Sequence, residues 1–224
     1  MLMSETEHHS PSMQNINESV DDIISRCRDK SKQDEGNVVY LGEREEKKSP
    51  PLMVRYGLSK KHHTQTFESF QGNEKIVAAL REVTDESIVL TGQTGSGKTH
   101  LAVALMKESK EIVQYFVTVP ELLLEIRMTY HPDSRENEED IIRKYSQCPL
   151  LVLDDLGSEK SSEFSINTLY LILDRRNREM KKTIITTNLS LDEIEQSLGA
   201  RIASRLSEMK IIKINMPDFR KKRR

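Results

Sequence analysis

Gly92-Gln93-Thr94-Gly95-Ser96-Gly97-Lys98-Thr99 follows a short apolar run, Ser87-Ile-Val-Leu-Thr91, and leads into a helix-like stretch from Gly97 to Glu108. The pattern G-x-x-x-x-G-K-T between a strand and a helix makes an anion cradle. Glycines let backbone amides curl inward, and the helix amino terminus adds partial positive charge. Lys98 would reach the β- and γ-phosphates of a nucleotide, and the Thr99 hydroxyl would help to hold Mg2+. Gly92, Gln93, Thr94, Gly95, Ser96, Gly97 and His100 complete the nucleotide-contacting set. With average residue usage the pattern arises by chance in roughly one chain in a hundred of this length, and its strand and helix context lowers that further.

Two more segments agree with this reading. Leu150-Leu-Val-Leu-Asp-Asp155 is an apolar run closed by two carboxylates, where nucleotide sites on open α/β sheets lie. Asp154 would bind Mg2+ through water. Asp155 would orient or deprotonate the attacking water, or is a solvated loop acid. Thr186-Thr-Asn188 ends the next apolar run. Asn188 either hydrogen-bonds a γ-phosphate or the lytic water, or caps the helix that starts at Leu191.

Strand-like and helical runs alternate from Thr66 onward. Strands are expected over 87–91, 111–117, 149–154, 183–187 and 211–214, with helices between them. Such alternation implies an α/β fold, a central five-stranded parallel sheet flanked by helices. Residues 66–219 are expected to form this core, 51–65 a linker leading into it, and 220–224 a basic tail. Residues 1–50 read as a flexible arm. Within it Ile16, Val20, Ile23, Ile24 and Cys27 fall at helical spacing, so an amphipathic helix over about 15–29 either folds back on the core or docks on a partner.

The chain has 224 residues, 31% of them charged, and a formal net charge of −2. No apolar run is long enough to cross a bilayer, and no signal peptide is expected at the amino terminus. The two cysteines make neither a disulfide framework nor a four-ligand zinc site, so a reducing cytoplasm is the expected compartment.

The order of phosphate loop, DD-ended strand, TTN-ended strand and Arg-bearing helix before a last strand resembles the AAA+ ATPases. LLVLDDLGSEKSSEF, LYLILDRRNREMKKTIITTNLSLDEI, ARIASRLSEM and RYGLSKKHHTQTFESF are more narrowly similar to the DnaC/DnaI group of bacterial replicative helicase loaders, with the transposition helper IstB as a close relative. The resemblance spans about residues 52 to 220. It implies an ATPase that uses ATP and Mg2+. It also implies binding to a hexameric replicative DNA helicase, for which the arm is the candidate, and to single-stranded DNA. By the same resemblance Arg205 matches the arginine finger that reaches a neighbouring subunit's nucleotide, and Arg201 supports that interface, which implies self-association. On spacing alone Arg205 could equally be a surface arginine paired with Glu208 or Glu195. The chain stops about ten residues past its last strand, so no carboxyl-terminal helical lid is expected. Asp155 stands where many of these enzymes have Glu, which implies slow hydrolysis. Lys107, Lys110, Arg143, Lys144 and Tyr145 are candidate single-strand contacts, each otherwise a solvated helix face. The alternative function is an IstB-like transposition helper acting on duplex DNA with a transposase.

Overall fold

The computed structural model of the chain describes residues 54–83, 85–158 and 161–219. The expected arm helix and the basic tail lie outside them. Strands β1 (Val54–Tyr56), β2 (Ile88–Gly92), β3 (Val113–Thr118), β4 (Leu150–Leu156), β5 (Lys182–Thr187) and β6 (Lys210–Ile214) form one sheet in the order β1-β3-β4-β5-β2-β6. Every pairing is parallel. Leu150 to Leu153 and Ile184 to Ile185 are fully buried, as continuous apolar strands covered on both faces should be.

The sheet has six strands, not the expected five. The extra one, β1, lies in the stretch read as a linker, and pairs Val54 with Val113 and Tyr56 with Tyr115 at the sheet edge. Tyr56 stacks on Tyr115 with ring centroids 4.6 Å apart. A 3-10 helix follows at Lys60–Thr64. The Lys107 ammonium pins it by donating to the carbonyls of His62, His63 and Gln65 at 2.7 to 2.8 Å.

Helices α1 (Glu74–Glu82), α2 (Lys98–Glu108), α3 (Val119–Met128), α4 (Glu138–Gln147), α5 (Glu163–Arg178), α6 (Leu191–Leu198) and α7 (Ala200–Ser207) connect the strands. Their starts follow capping chemistry. Thr118 with Glu121, Asn137 with Asp140, and Ser190 with Glu193 each form a reciprocal capping box. Helix α2 is apolar nearly all round, with Leu101 to Met106 buried, because it is sandwiched between the sheet and α1. At the far end of the fold Arg176, fully buried, donates to the carbonyls of Tyr145, Cys148 and Lys182 and to the Thr183 hydroxyl. It ties the carboxyl end of α4 to the start of β5. No helix among the described residues is long and apolar enough to cross a membrane.

Candidate nucleotide site

Strand order decides which side chains meet. β5 lies between β2 and β4, so the loop leaving β2 faces the ends of β5 and β4. Gly95 (φ 79°) and Gly97 (φ 95°) hold left-handed backbone that side-chain-bearing residues resist. A Cβ on Gly97 would also strike the Phe70 ring, and one on Gly95 the Asp218 carboxylate. The glycines are thus needed for the loop's curl and for the chain packed against it.

Lys98 opens α2 and is buried. Its ammonium donates to the Gly92 and Gln93 carbonyls at 2.9 Å each and to Asn188 Oδ1 at 2.6 Å. Thr99 donates to Asp154 Oδ2 at 3.1 Å. Asp154 Oδ1 accepts from the Thr186 hydroxyl at 2.6 Å, and that hydroxyl accepts from the Asp155 amide at 3.0 Å. Two neighbouring sets of contacts, Lys98 with Asn188 and Thr99 with Asp154, Thr186 and Asp155, thus meet at the mouth of the loop. Burial raises the Asp154 pKa to about 6, Asp155 adds to the rise, and the Thr186 and Thr99 hydrogen bonds and Lys98 oppose it. Asp155 sits in left-handed backbone (φ 59°) where β4 shifts register against β5 between Leu153 and Leu156. Non-glycine backbone of that kind costs of order 1–3 kcal/mol and clusters at functional sites.

The donors present fit a phosphate group. Ser96 Oγ is fully buried and has no hydrogen-bond partner among the described residues, a cost that a phosphate oxygen would remove. Thr99 and Asp154, with adjacent hydroxyl and carboxylate oxygens, are a donor set of the hard-oxygen type that Mg2+ takes. Beside the loop a cavity of about 270 Å3 is lined by Gln93, Ile214, Asn215, Met216 and Pro217. The chain after β6 closes over the loop, where the Phe219 amide donates to the Gly95 carbonyl at 3.1 Å.

Three expected site residues lie elsewhere. His100 Nε2 is 2.8 Å from the Thr66 carbonyl, an acceptor only, so the proton sits on Nε2. Burial lowers the pKa of the ring. Its neutral side chain holds the 66–70 segment, with Phe70 edge-on at 5.3 Å. Arg205 bonds Asp174 and Glu208, and Arg201 lies 5.6 Å from the Tyr170 ring. Four of the five candidate DNA contacts have partners within the chain, and the fifth, Lys110, is exposed. Lys107 is the 3-10 pin, Arg143 pairs with Asp140, and Lys144 and Tyr145 both bond Glu125. Tyr145 is buried and cannot stack on a base from outside. Thr186, the shared partner of both acids, had only one sequence signal, its place in a polar pair at a strand end.

Comparison with known proteins agrees with the geometry. The chain is 27% identical over 187 residues to the replicative helicase loader DnaC of Buchnera aphidicola subsp. Baizongia pistaciae, covering 76% of this chain and 75% of that one. The fold matches the crystal structure of the DnaC helicase loader with a TM-score of 0.62 at 24% identity, over 70% of this chain and all of that one. It matches the crystal structure of DnaI at 0.60 and 23%, over 75% and 96%. The family model described as IstB-like ATP binding protein matches residues 41–224, a span that holds the parallel sheet and the glycine-bent loop. The chain belongs to the IstB-like ATP-binding family.

Proposed function

We propose that this protein is an ATP-dependent helicase loader, an ATP-switched adaptor that binds a hexameric replicative helicase and single-stranded DNA and hydrolyses ATP slowly. The observation that carries this reading is the match, over three quarters of its length, to a relative named for helicase loading. The site geometry supports the ATPase part. Lys98 exchanges two loop carbonyls and Asn188 for the β- and γ-phosphates, and the exchange releases Asn188 to hydrogen-bond the γ-phosphate or the attacking water. Thr99 and Asp154 would hold Mg2+, which would offset phosphate charge when bound. Asp155, half-buried beside Asp154, orients the water and takes its proton. Its short side chain on strained backbone suits slow turnover, as a switch requires. Arg205 of a neighbouring copy completes the site, with Arg201 supporting the contact, so ATP drives self-association. Residues 1–50 form the helicase-binding arm, 54–219 the ATPase core, and the cytoplasm is where the protein works.

Mass photometry with a replicative helicase from the same source, in ATP and in ADP, tests the reading. A discrete complex of helicase with several copies, favoured by one nucleotide, is expected. No complex in either nucleotide, together with ATP-driven binding to duplex DNA, would move the assignment to a transposition helper acting with a transposase.

A further inference from the structure

Helices α5 and α7 meet around the Arg205 guanidinium. Its Nε and Nη2 lie 3.1 and 2.9 Å from Asp174 Oδ1, and its Nη1 lies 2.8 Å from Glu208 Oε1. The two carboxylates differ in setting. Asp174 is mid-helix on α5, with a side chain only 15% exposed, and its other oxygen accepts from Arg178 at 3.1 Å. Glu208 follows the end of α7 and is 48% exposed, held by Asn177 Nδ2 at 2.6 Å.

A guanidinium is a rigid plane with separate edges. To deliver charge to an anion outside its own chain it must keep one edge anchored and free another. The more shielded acceptor on the rigid helix is the one to keep, because losing it leaves one oxygen of a poorly hydrated carboxylate without its partner. The exposed acceptor is the one to lose, because water replaces an exposed pair at little cost. A nucleotide triphosphate also carries more negative charge than one carboxylate, so the exchange runs toward the phosphate.

We propose that Asp174 is the positioning residue for Arg205, fixing its Nε edge, and that Glu208 is a placeholder which Nη1 leaves when a neighbouring copy brings its bound triphosphate. The inference rests on the reading of Arg205 as a residue that acts in trans.

Mixed-subunit ATPase measurements test it. An acceptor carrying Arg205→Ala keeps its own phosphate loop. A donor carrying Lys98→Ala keeps Arg205. Each is inactive alone, and their mixture is expected to regain turnover. Asp174→Asn placed in the donor should lower the regained kcat about tenfold or more, Asp174→Glu should recover part of it, and the same Asn in the acceptor should leave it within about twofold. Glu208→Gln in the donor should lower the donor concentration giving half-maximal rate by about twofold to fivefold. Because the acceptor carries Asp174→Asn without loss, it also serves as the folding control. Equal losses from donor and acceptor would make Asp174 merely structural, and no loss from the donor would overturn its positioning role. An unchanged or raised half-maximal concentration with Glu208→Gln would overturn the placeholder. If the unsubstituted pair regains nothing, the action of Arg205 in trans is wrong and the inference goes with it, an outcome distinct from the others.

Discussion

One hydroxyl, that of Thr186, serves both acids at the end of β4, donating to Asp154 and accepting from the Asp155 amide. Thr186→Val removes both contacts and should cost about 2–4 kcal/mol, with ATP hydrolysis falling further than ATP affinity. Thr186→Ser should stay near wild type in calorimetry and turnover, and a Val variant as stable as wild type would contradict the arrangement. Asp154 has its own pH signature. Its pKa is raised to about 6 in the fold, chiefly by burial, against about 3.9 in an unfolded chain, so folding favours the neutral acid. Its contribution is fully present below about pH 4 and is lost as pH rises through about 6. Asp154→Asn should therefore match wild type near pH 4 and exceed it at pH 8 by up to roughly 3 kcal/mol, while losing Mg2+-dependent turnover. Denaturant titrations at the two pH values decide it, and the reverse ordering at pH 8 counts against a buried charge. The motif residues of the loop were legible in sequence because phosphate chemistry demands those residue types at that spacing. Thr186 was not, because only the register of β5 against β4 says which of two adjacent threonines meets the acids. The place of the His100 side chain was hidden for a related reason. His100 adjoins Thr99 in sequence, but each helical residue turns about 100° from the last, and the ring meets Thr66 instead.

At the scale of elements, β4, β5 and α2 were readable from apolar runs and breaks. The strand β1 was not, since Val54-Arg-Tyr56 is too short to display a period of two. What holds that edge in place is long-range. The Arg55 guanidinium reaches Gln114 Oε1 at 3.1 Å and the Lys107 carbonyl at 2.9 Å, while the Lys107 ammonium gathers three carbonyls of the 3-10 segment. Lys107→Met keeps the aliphatic stem and loses only those contacts. It should cost about 1–2 kcal/mol in thermal unfolding and loosen the 54–66 segment in hydrogen exchange, with α2 unchanged. Protection unchanged in 54–66 would show that the ammonium is not the pin. The same residue, read as a DNA contact from its charge alone, shows why a lysine on a helix face is a weak signal. Charge is visible in sequence, but the carbonyls that use it lie 42 to 45 residues away.

At the scale of the whole molecule, the proposed division of work between residues 1–50 and the core makes a prediction about partners. Removal of residues 1–50 should leave ATP affinity within about twofold, since the core carries its own buried centre, and should abolish the complex with the helicase in mass photometry. A complex that survives the truncation would move the helicase contact into the core. The sheet order has a further consequence, one of timing. β2 carries the phosphate loop, yet its neighbours are β5 and β6, with Ile88 set against Ile184 and Lys210. The chain emerges from the ribosome at about 5–20 residues per second, so Ile88, Val89 and Leu90 wait on the order of ten seconds before either flank exists. Through that interval the strand that will bind ATP is an unpaired apolar segment, the kind of surface chaperones hold. ATP therefore cannot template the early steps of folding. It can only clamp a molecule whose last strand is already in place, and should stabilise the finished fold without speeding its formation.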